Sequence, residues 1–121
     1  MAGSITVEDD PRGAGIVVLV GEIDLGDQAA FQAAIEQAWT LGPGIVIDLS
    51  EATFFDSTIL MVIMQALRRS EASEREKLAL VVPLRSHANR VLVLSGFTQL
   101  LMPIAESRDE VFQAWQPDAS Q

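Results

Sequence analysis

The sequence predicts an α/β fold with a mixed, mostly parallel sheet of about five strands and four helices. Two observations lead to this fold class. Short β-branched and aliphatic runs alternate with longer segments whose apolar residues recur at helical spacing. Turn residues such as Gly42, Pro43 and Pro83 separate these segments. Strands that alternate with helices form parallel sheets through right-handed crossover connections.

The chain begins with two strands that are expected to form an antiparallel hairpin. Residues 5–7 and 16–20 are rich in isoleucine and valine, and turn formers lie between them. A first helix follows, with Asp27 as its capping residue and Gly42 after its end. Its apolar positions are Phe31, Ala34, Ile35, Ala38 and Trp39.

The rest of the chain continues the alternation of strands and helices. The expected elements are a short strand at 45–49, a helix from Ser57 to about Ser70, a strand at 78–82, a helix from Ser86 to a stop at Gly96, a strand at 101–104, and a last helix after Ser107. Ser107 and Glu110 have the spacing of a capping box. We therefore expect one domain over 1–121, with its core from about residue 4 to 115 and frayed ends.

The charge of the chain limits its partners. Its 17 acidic and 8 basic residues give a net charge of −9. Such a surface repels phosphate backbones and anionic lipid headgroups, so nucleic acid is not an expected partner. The apolar stretches at 15–20 and 59–64 are shorter than the ~18 residues of a membrane span, so direct membrane insertion is not expected either. The absence of cysteine fits a reduced compartment, which predicts a cytoplasmic location.

The sequence offers residues for two kinds of site, a catalytic triad and a metal site. Ser57 and His87 could belong to a hydrolase triad, but the GxSxG motif of a nucleophile elbow is missing, and His87 is expected to be a solvated residue at a helix start. Asp24, Asp48 and Asp56 lie at or near strand ends and could hold a divalent cation. Capping and strand-end polarity explain these acids more simply, so we predict no metal site. The P-loop, GxGxxG and HExxH motifs are also missing, so we predict no enzyme and expect no cofactor.

The segment ATFFDSTILM places its polar triplet, Asp56, Ser57 and Thr58, between two apolar runs. One interpretation is a helix start with Ser57 as the N-cap. The other is a phosphorylated serine, because the free N–H groups and the positive end of a helix stabilise an anion. Met61 lies on the side of this helix that a sheet does not need. It is either an adaptable docking contact beside Ser57 or an isolated apolar surface residue.

Three segments of the chain resemble the STAS domain of bacterial anti-sigma factor antagonists. They are GEIDL at 21–25, IDLS at 47–50 leading to FDST at 55–58, and VLVLSGF at 91–97. Their order and spacing match that family along nearly the whole chain. The resemblance implies the fold of that family, in agreement with the order of strands and helices above.

The resemblance also implies a non-catalytic switch. In this family the serine of the triplet accepts a phosphate from a partner that is both an anti-sigma factor and a serine kinase. The unphosphorylated form binds the partner and frees the sigma factor, and phosphorylation breaks the complex. Carried onto this chain, Ser57 is the acceptor, and Asp24, Asp56, Thr58 and Met61 form the partner-binding surface. The kinase supplies ATP and magnesium, and we expect the chain to be a monomer or a weak homodimer.

The sequence departs from the family pattern directly after the triplet. The family commonly has DSSGLG or DSTGLG, whereas Ile59 and Met61 replace both glycines here. Both side chains are expected to obstruct or reshape the approach of a partner backbone. The alternative function is a STAS subunit that scaffolds a larger complex, either a stress-signalling assembly or the cytoplasmic accessory subunit of a lipid-transport ABC system. In that case Ser57 is only a helix cap.

Overall fold

The computed structural model describes residues 3–94 and 104–115. These residues form one five-stranded sheet with helices on both faces. The elements in chain order are β1 (Ser4–Asp10), β2 (Ala14–Ile23), α1 (Gln28–Trp39), β3 (Gly44–Phe55), α2 (Ser57–Glu71), β4 (Lys77–Val81), α3 (His87–Leu94), β5 (Ile104–Ala105) and α4 (Arg108–Trp115). A short 3₁₀ turn, Leu25–Asp27, precedes α1.

The strands lie side by side in chain order, from β1 at one edge to β5 at the other. β1 and β2 pair antiparallel, as the hairpin prediction requires, and each of the other neighbours pairs in parallel. The predicted fold class, a mixed and mostly parallel sheet with four helices, is therefore confirmed.

The alternation of side chains along the strands produces two cores. One face of the sheet packs against α1, α2 and α3, and the other face packs against α4. The first core includes Val17, Leu19, Ile47 and Leu80 with Phe31, Ile63 and Leu92 of the helices. The second includes Ile16, Val18, Val46 and Ala79 with Val111 and Phe112 of α4.

β3 is longer than the sequence predicted. It was expected to end at residue 49, but it continues to Phe55. Its pairing with β2 shifts between Val18 and Val20, where an extra β3 residue is accommodated, and again after Gly21. Gly21 has a φ of +79°, which glycine adopts without strain. The irregular pairing breaks the apolar alternation, so the second half of this strand does not read as a strand in the sequence.

The helix caps agree with the sequence at α3 and α4 and differ at α1. Ser86 Oγ accepts a hydrogen bond from Asn89 N at 3.1 Å, and Ser107 Oγ accepts one from Glu110 N at 3.2 Å. The predicted cap of α1 is wrong, because the Asp27 side chain makes no capping bond to that helix. Its Oδ2 instead accepts from Asp24 N at 3.0 Å and closes the 3₁₀ turn. The predicted stop at Gly96 lies outside the described residues.

Candidate functional site

The candidate site lies at the carboxyl edge of the parallel strands β2 and β3. Ile23 and Phe55 are paired at the ends of these strands, so the next residues, Asp24 and Asp56, leave the sheet side by side. The backbone of Leu25 also hydrogen-bonds to the Asp56 carboxylate, which joins the two loops. The structure thus brings Asp24 and Asp56 to one edge, as the sequence predicted.

Asp56 is the N-cap of α2. Its Oδ1 accepts hydrogen bonds from Thr58 N at 3.0 Å, from Ile59 N at 3.3 Å and from the Thr58 hydroxyl at 2.5 Å. The bond from the Thr58 hydroxyl, aided by the backbone N–H groups, lowers the pKa of Asp56 although partial burial opposes this. The prediction that Ser57 caps the helix is therefore wrong. The carboxylate reaches the first-turn N–H groups from the preceding residue, and Ser57 is already the first residue of α2.

Ser57 is exposed at the first turn of α2. Within the described part of the chain, its hydroxyl makes no hydrogen bond, whereas the neighbouring Thr58 hydroxyl is bonded to Asp56. The two hydroxyls of the triplet therefore differ in availability. Of these two, only the Ser57 hydroxyl is available to react or to bind a partner.

Exposed apolar side chains lie around this edge of the sheet. Met61, one helical turn after Ser57, is 57% exposed, as expected for its position on α2. Leu25, in the 3₁₀ turn bonded to Asp56, is 62% exposed, and Phe54 is 48% exposed. Sequence reasoning missed Leu25 and Phe54. For Phe54 the signal was available, because it neighbours the buried Phe55 and adjacent strand residues point to opposite faces.

The two residues that replace the family glycines have different environments. Ile59 is fully buried in the core under α2, whereas Met61 is exposed. The expectation that both side chains obstruct a partner is therefore wrong for Ile59, which packs inward three residues after the cap. Only Met61 presents a side chain at the surface.

The third acid considered for a cation, Asp48, is used elsewhere. Its Oδ2 accepts from Arg108 Nε at 2.8 Å, and its Oδ1 accepts from the Ser50 hydroxyl at 2.6 Å. Burial raises the pKa of Asp48, but the hydrogen bonds from Ser50 and Arg108 outweigh it and the net shift is downward. Among the described residues, no group of three or more potential ligands could hold a metal ion.

His87 begins α3 and is exposed, as the sequence predicted. No hydrogen bond joins it to Ser57 within residues 3–94 and 104–115. In the same residues, no helix combines the length and apolar character needed to cross a membrane.

A comparison with protein families decides the family of this chain. The family model described as "Mlab, STAS domain" matches residues 7–103. The chain belongs to the STAS domain family. This confirms the resemblance seen in the sequence. A comparison with curated proteins found no match.

Solved structures show where this STAS domain stands among known folds. An anti-sigma factor antagonist from Mycobacterium paratuberculosis superposes with a TM-score of 0.77 at 24% identity, covering 93% of both chains. The phosphorylated form of SpoIIAA, a Bacillus cell fate determinant, has a TM-score of 0.68 at 19% identity and covers 93% of this chain and 100% of its own. A sulfate transporter family protein from Wolinella succinogenes has a TM-score of 0.63 at 14% identity, with 82% and 81% covered. At these identities the likeness shows the fold.

Proposed function

We propose that this STAS domain is a non-catalytic anti-sigma factor antagonist that is switched by phosphorylation of Ser57. The unphosphorylated chain binds an anti-sigma factor that is also a serine kinase, in the cytoplasm, and the phosphorylated chain releases it. The observation that carries the proposal is the difference between two adjacent hydroxyls. Among residues 3–94 and 104–115, that of Ser57 is exposed and unbonded, whereas that of Thr58 is bonded to Asp56. The similar folds of anti-sigma factor antagonists support the same function.

The surroundings of Ser57 explain why a phosphate acts as a switch. The partner-binding surface in this proposal consists of Asp24, Asp56, Thr58 and Met61 around the acceptor. A phosphate adds about −1.5 to −2 charges at pH 7. It enters a surface with two carboxylates in a chain of net charge −9, next to the exposed apolar side chain of Met61. A partner that fits the unphosphorylated, partly apolar surface encounters both added bulk and added negative charge, so the complex dissociates.

A second function is favoured by one feature of the same surface. Met61 stands exposed where the family commonly has glycine, which changes the shape that a family kinase meets. The matched family model and the fold shared with a sulfate transporter family protein also fit a subunit that scaffolds a larger complex, such as a lipid-transport ABC system. In that function Ser57 is exposed but not modified.

The test is phosphorylation by a serine kinase of the anti-sigma factor type with ATP and magnesium. We expect one phosphate, located on Ser57 by mass spectrometry, and none on Ser57→Ala. Thr58→Ala removes only the adjacent hydroxyl: its labelling rate reports what Thr58 contributes to partner binding, and its phosphate should still be located on Ser57. Phosphate that persists in Ser57→Ala would contradict the assignment.

Binding separates the switch from the scaffold. Ser57→Asp should weaken kinase binding at least about tenfold while its melting temperature stays close to that of the wild type, since aspartate is well accepted at a helix start. Equal binding by the wild type and Ser57→Asp would favour the scaffold.

A further inference from the structure

A cleft that is separate from the Ser57 surface lies at the opposite end of the parallel strands. It lies where the parallel strands begin, next to Gly44 of β3 and Lys77 of β4, and encloses about 260 Å³. β3 runs from this cleft to Asp56, roughly 35 Å away for a strand of its length. The residues that define the cleft are Arg12, Pro43, Arg75, Lys77, Phe112 and Trp115.

The floor of the cleft is aromatic. The rings of Phe112 and Trp115 meet edge to face, with centroids 5.7 Å apart. The Arg12 guanidinium lies over the Phe112 ring at 3.9 Å and is held by an ion pair to Asp109 at 2.9 Å. Gly44 makes room for the indole, because a Cβ at that position would lie 2.7 Å from a Trp115 ring atom. The two rings are therefore fixed from both sides, while Trp115 stays partly exposed.

The rim of the cleft is basic in an otherwise acidic protein. Arg12, Arg75 and Lys77 are three of only 8 basic residues in the chain. The hydrogen bonds of Arg75 and Lys77 use their backbone N–H groups, which donate to Ser73 Oγ at 3.2 Å and to Pro43 O at 2.8 Å. In the described part of the chain, neither side chain forms an ion pair. Two exposed cationic groups are thus available beside an aromatic floor.

We propose that this cleft docks an acidic segment of a partner protein, with its carboxylates on Arg75 and Lys77 and one aromatic or aliphatic side chain against Trp115. Charge complementarity selects the acidic segment. The volume is below the ~300 to 1,000 Å³ of typical small-molecule sites, and it suits one inserted side chain rather than a free ligand. Two unpaired cations suit a short acidic segment, whereas a nucleic acid strand would bring further phosphates against the rest of a chain whose net charge is −9. Because the cleft and Ser57 lie at opposite ends of β3, both surfaces can be occupied at once.

The peptide EDFDE, acetylated and amidated, is the probe. In the full chain with Trp39→Phe, Trp115 is the only tryptophan and reports binding by fluorescence. We expect a saturable change that weakens about tenfold in Arg75→Glu/Lys77→Glu and also weakens in 0.5 M NaCl. The matched control is Arg85→Glu/Arg90→Glu, which makes the same change in net charge at exposed positions of the α3 side and should bind as the parent does. Binding should be lost with QNFNQ and weakened with EDADE.

Several outcomes would overturn the proposal. They are no saturable change with EDFDE in the parent protein, equal affinity of the two double variants, displacement of the peptide by an equal concentration of inorganic phosphate, and tighter binding of a thymidine decanucleotide than of the peptide. Ser57→Asp should leave peptide affinity unchanged, so a failure of the Ser57 switch and a failure of this cleft are distinguishable. Circular dichroism melting of each variant verifies that it is folded.

Discussion

The Thr58 hydroxyl donates a hydrogen bond to Asp56 Oδ1 at 2.5 Å, and the exposed Ser57 lies between the two residues in the chain. The same oxygen accepts from the backbone N–H groups of Thr58 and Ile59. Asp56 and Thr58 therefore hold the start of α2, while the Ser57 side chain takes no part in it. Asp56 and Thr58 stabilise the helix start, whereas Ser57 provides the available hydroxyl. Mutations can therefore change one without the other.

The first prediction concerns the cap. Asp56→Ala should lower the free energy of unfolding by about 1 kcal/mol, within the range of 0.5–2 kcal/mol for lost N-caps. Ser57→Ala should change it by less than about 0.5 kcal/mol, as is usual for exposed positions. Urea unfolding at pH 7 measures both. If Ser57→Ala costs as much as Asp56→Ala, the serine does hold the helix and the assignment of the cap is wrong.

The same cap predicts a dependence on pH. The folded state lowers the pKa of Asp56, so the carboxylate stabilises the fold above its unfolded pKa of about 3.9 and loses that effect as pH falls through the lower folded value. The difference in stability between the wild type and Asp56→Ala should therefore shrink as unfolding is measured from pH 7 down to pH 3. A difference that grows on acidification would show that the carboxylate is not stabilised in the fold.

The second prediction concerns the two positions that replace the family glycines. Ile59→Ala should lower the free energy of unfolding by about 2–5 kcal/mol, because it leaves a cavity under α2. Met61→Ala should cost less than about 0.5 kcal/mol, since more than half of that side chain is exposed. The change in helix propensity differs between the two variants by only a few tenths of a kcal/mol, about tenfold less than the cost expected for the cavity, so the comparison mainly reports burial.

For partner binding, in contrast to stability, Met61 should matter more than Ile59, because only Met61 is exposed. Met61→Gly opens the surface beside Ser57 and should tighten binding to a kinase of the anti-sigma factor type. Met61→Ala is its control for the loss of helix propensity. Unchanged affinity in both variants would mean that Met61 lies outside the binding surface.

The sequence was sufficient for the order of strands and helices, because each buried strand is a run such as residues 16–20 and each helix shows one apolar face. It was not sufficient for the second half of β3. There the bulged pairing with β2 accommodates the polar residues Ser50, Glu51 and Thr53 inside a strand. The β2 residues involved, Val18 to Glu22, are distant in the chain, so no local sequence pattern indicates this pairing.

In the candidate site, too, some features could be predicted from the sequence and others could not. The position of Met61 and the closeness of Asp24 to Asp56 follow from helical spacing and from parallel strands, and both could be predicted. Which residue caps α2 could not, because Asp56 and Ser57 are both good N-caps and the end of β3 decides between them.

The third prediction concerns Asp48 and Arg108, which connect β3 to the first turn of α4. Arg108 also pairs with Glu8 of β1 at 3.0 Å, so one guanidinium joins three elements. Arg108→Met should lower the free energy of unfolding at pH 7 by about 1–3 kcal/mol, because the Asp48 carboxylate stays buried without its cation. The pKa of Asp48 is lowered in the fold. The drop in the free energy of unfolding caused by Arg108→Met should therefore diminish as pH falls through the folded-state pKa of Asp48. Asp9→Asn, at an exposed carboxylate, is the control for acidification.

The last prediction concerns the contact between α1 and α2. Arg69 pairs with Glu36 of α1 and with Glu76, both at 3.1 Å, and its guanidinium lies 4.8 Å from the centroid of a Trp39 ring. Since Arg69 and Glu36 are largely exposed, these bonds contribute modestly and are screened by salt. Arg69→Met should cost about 0.5–1.5 kcal/mol at low ionic strength and less in 1 M NaCl. Arg68→Met, at the adjacent exposed arginine, should be neutral; an equal loss in both variants would show that net charge, and not this contact, is responsible.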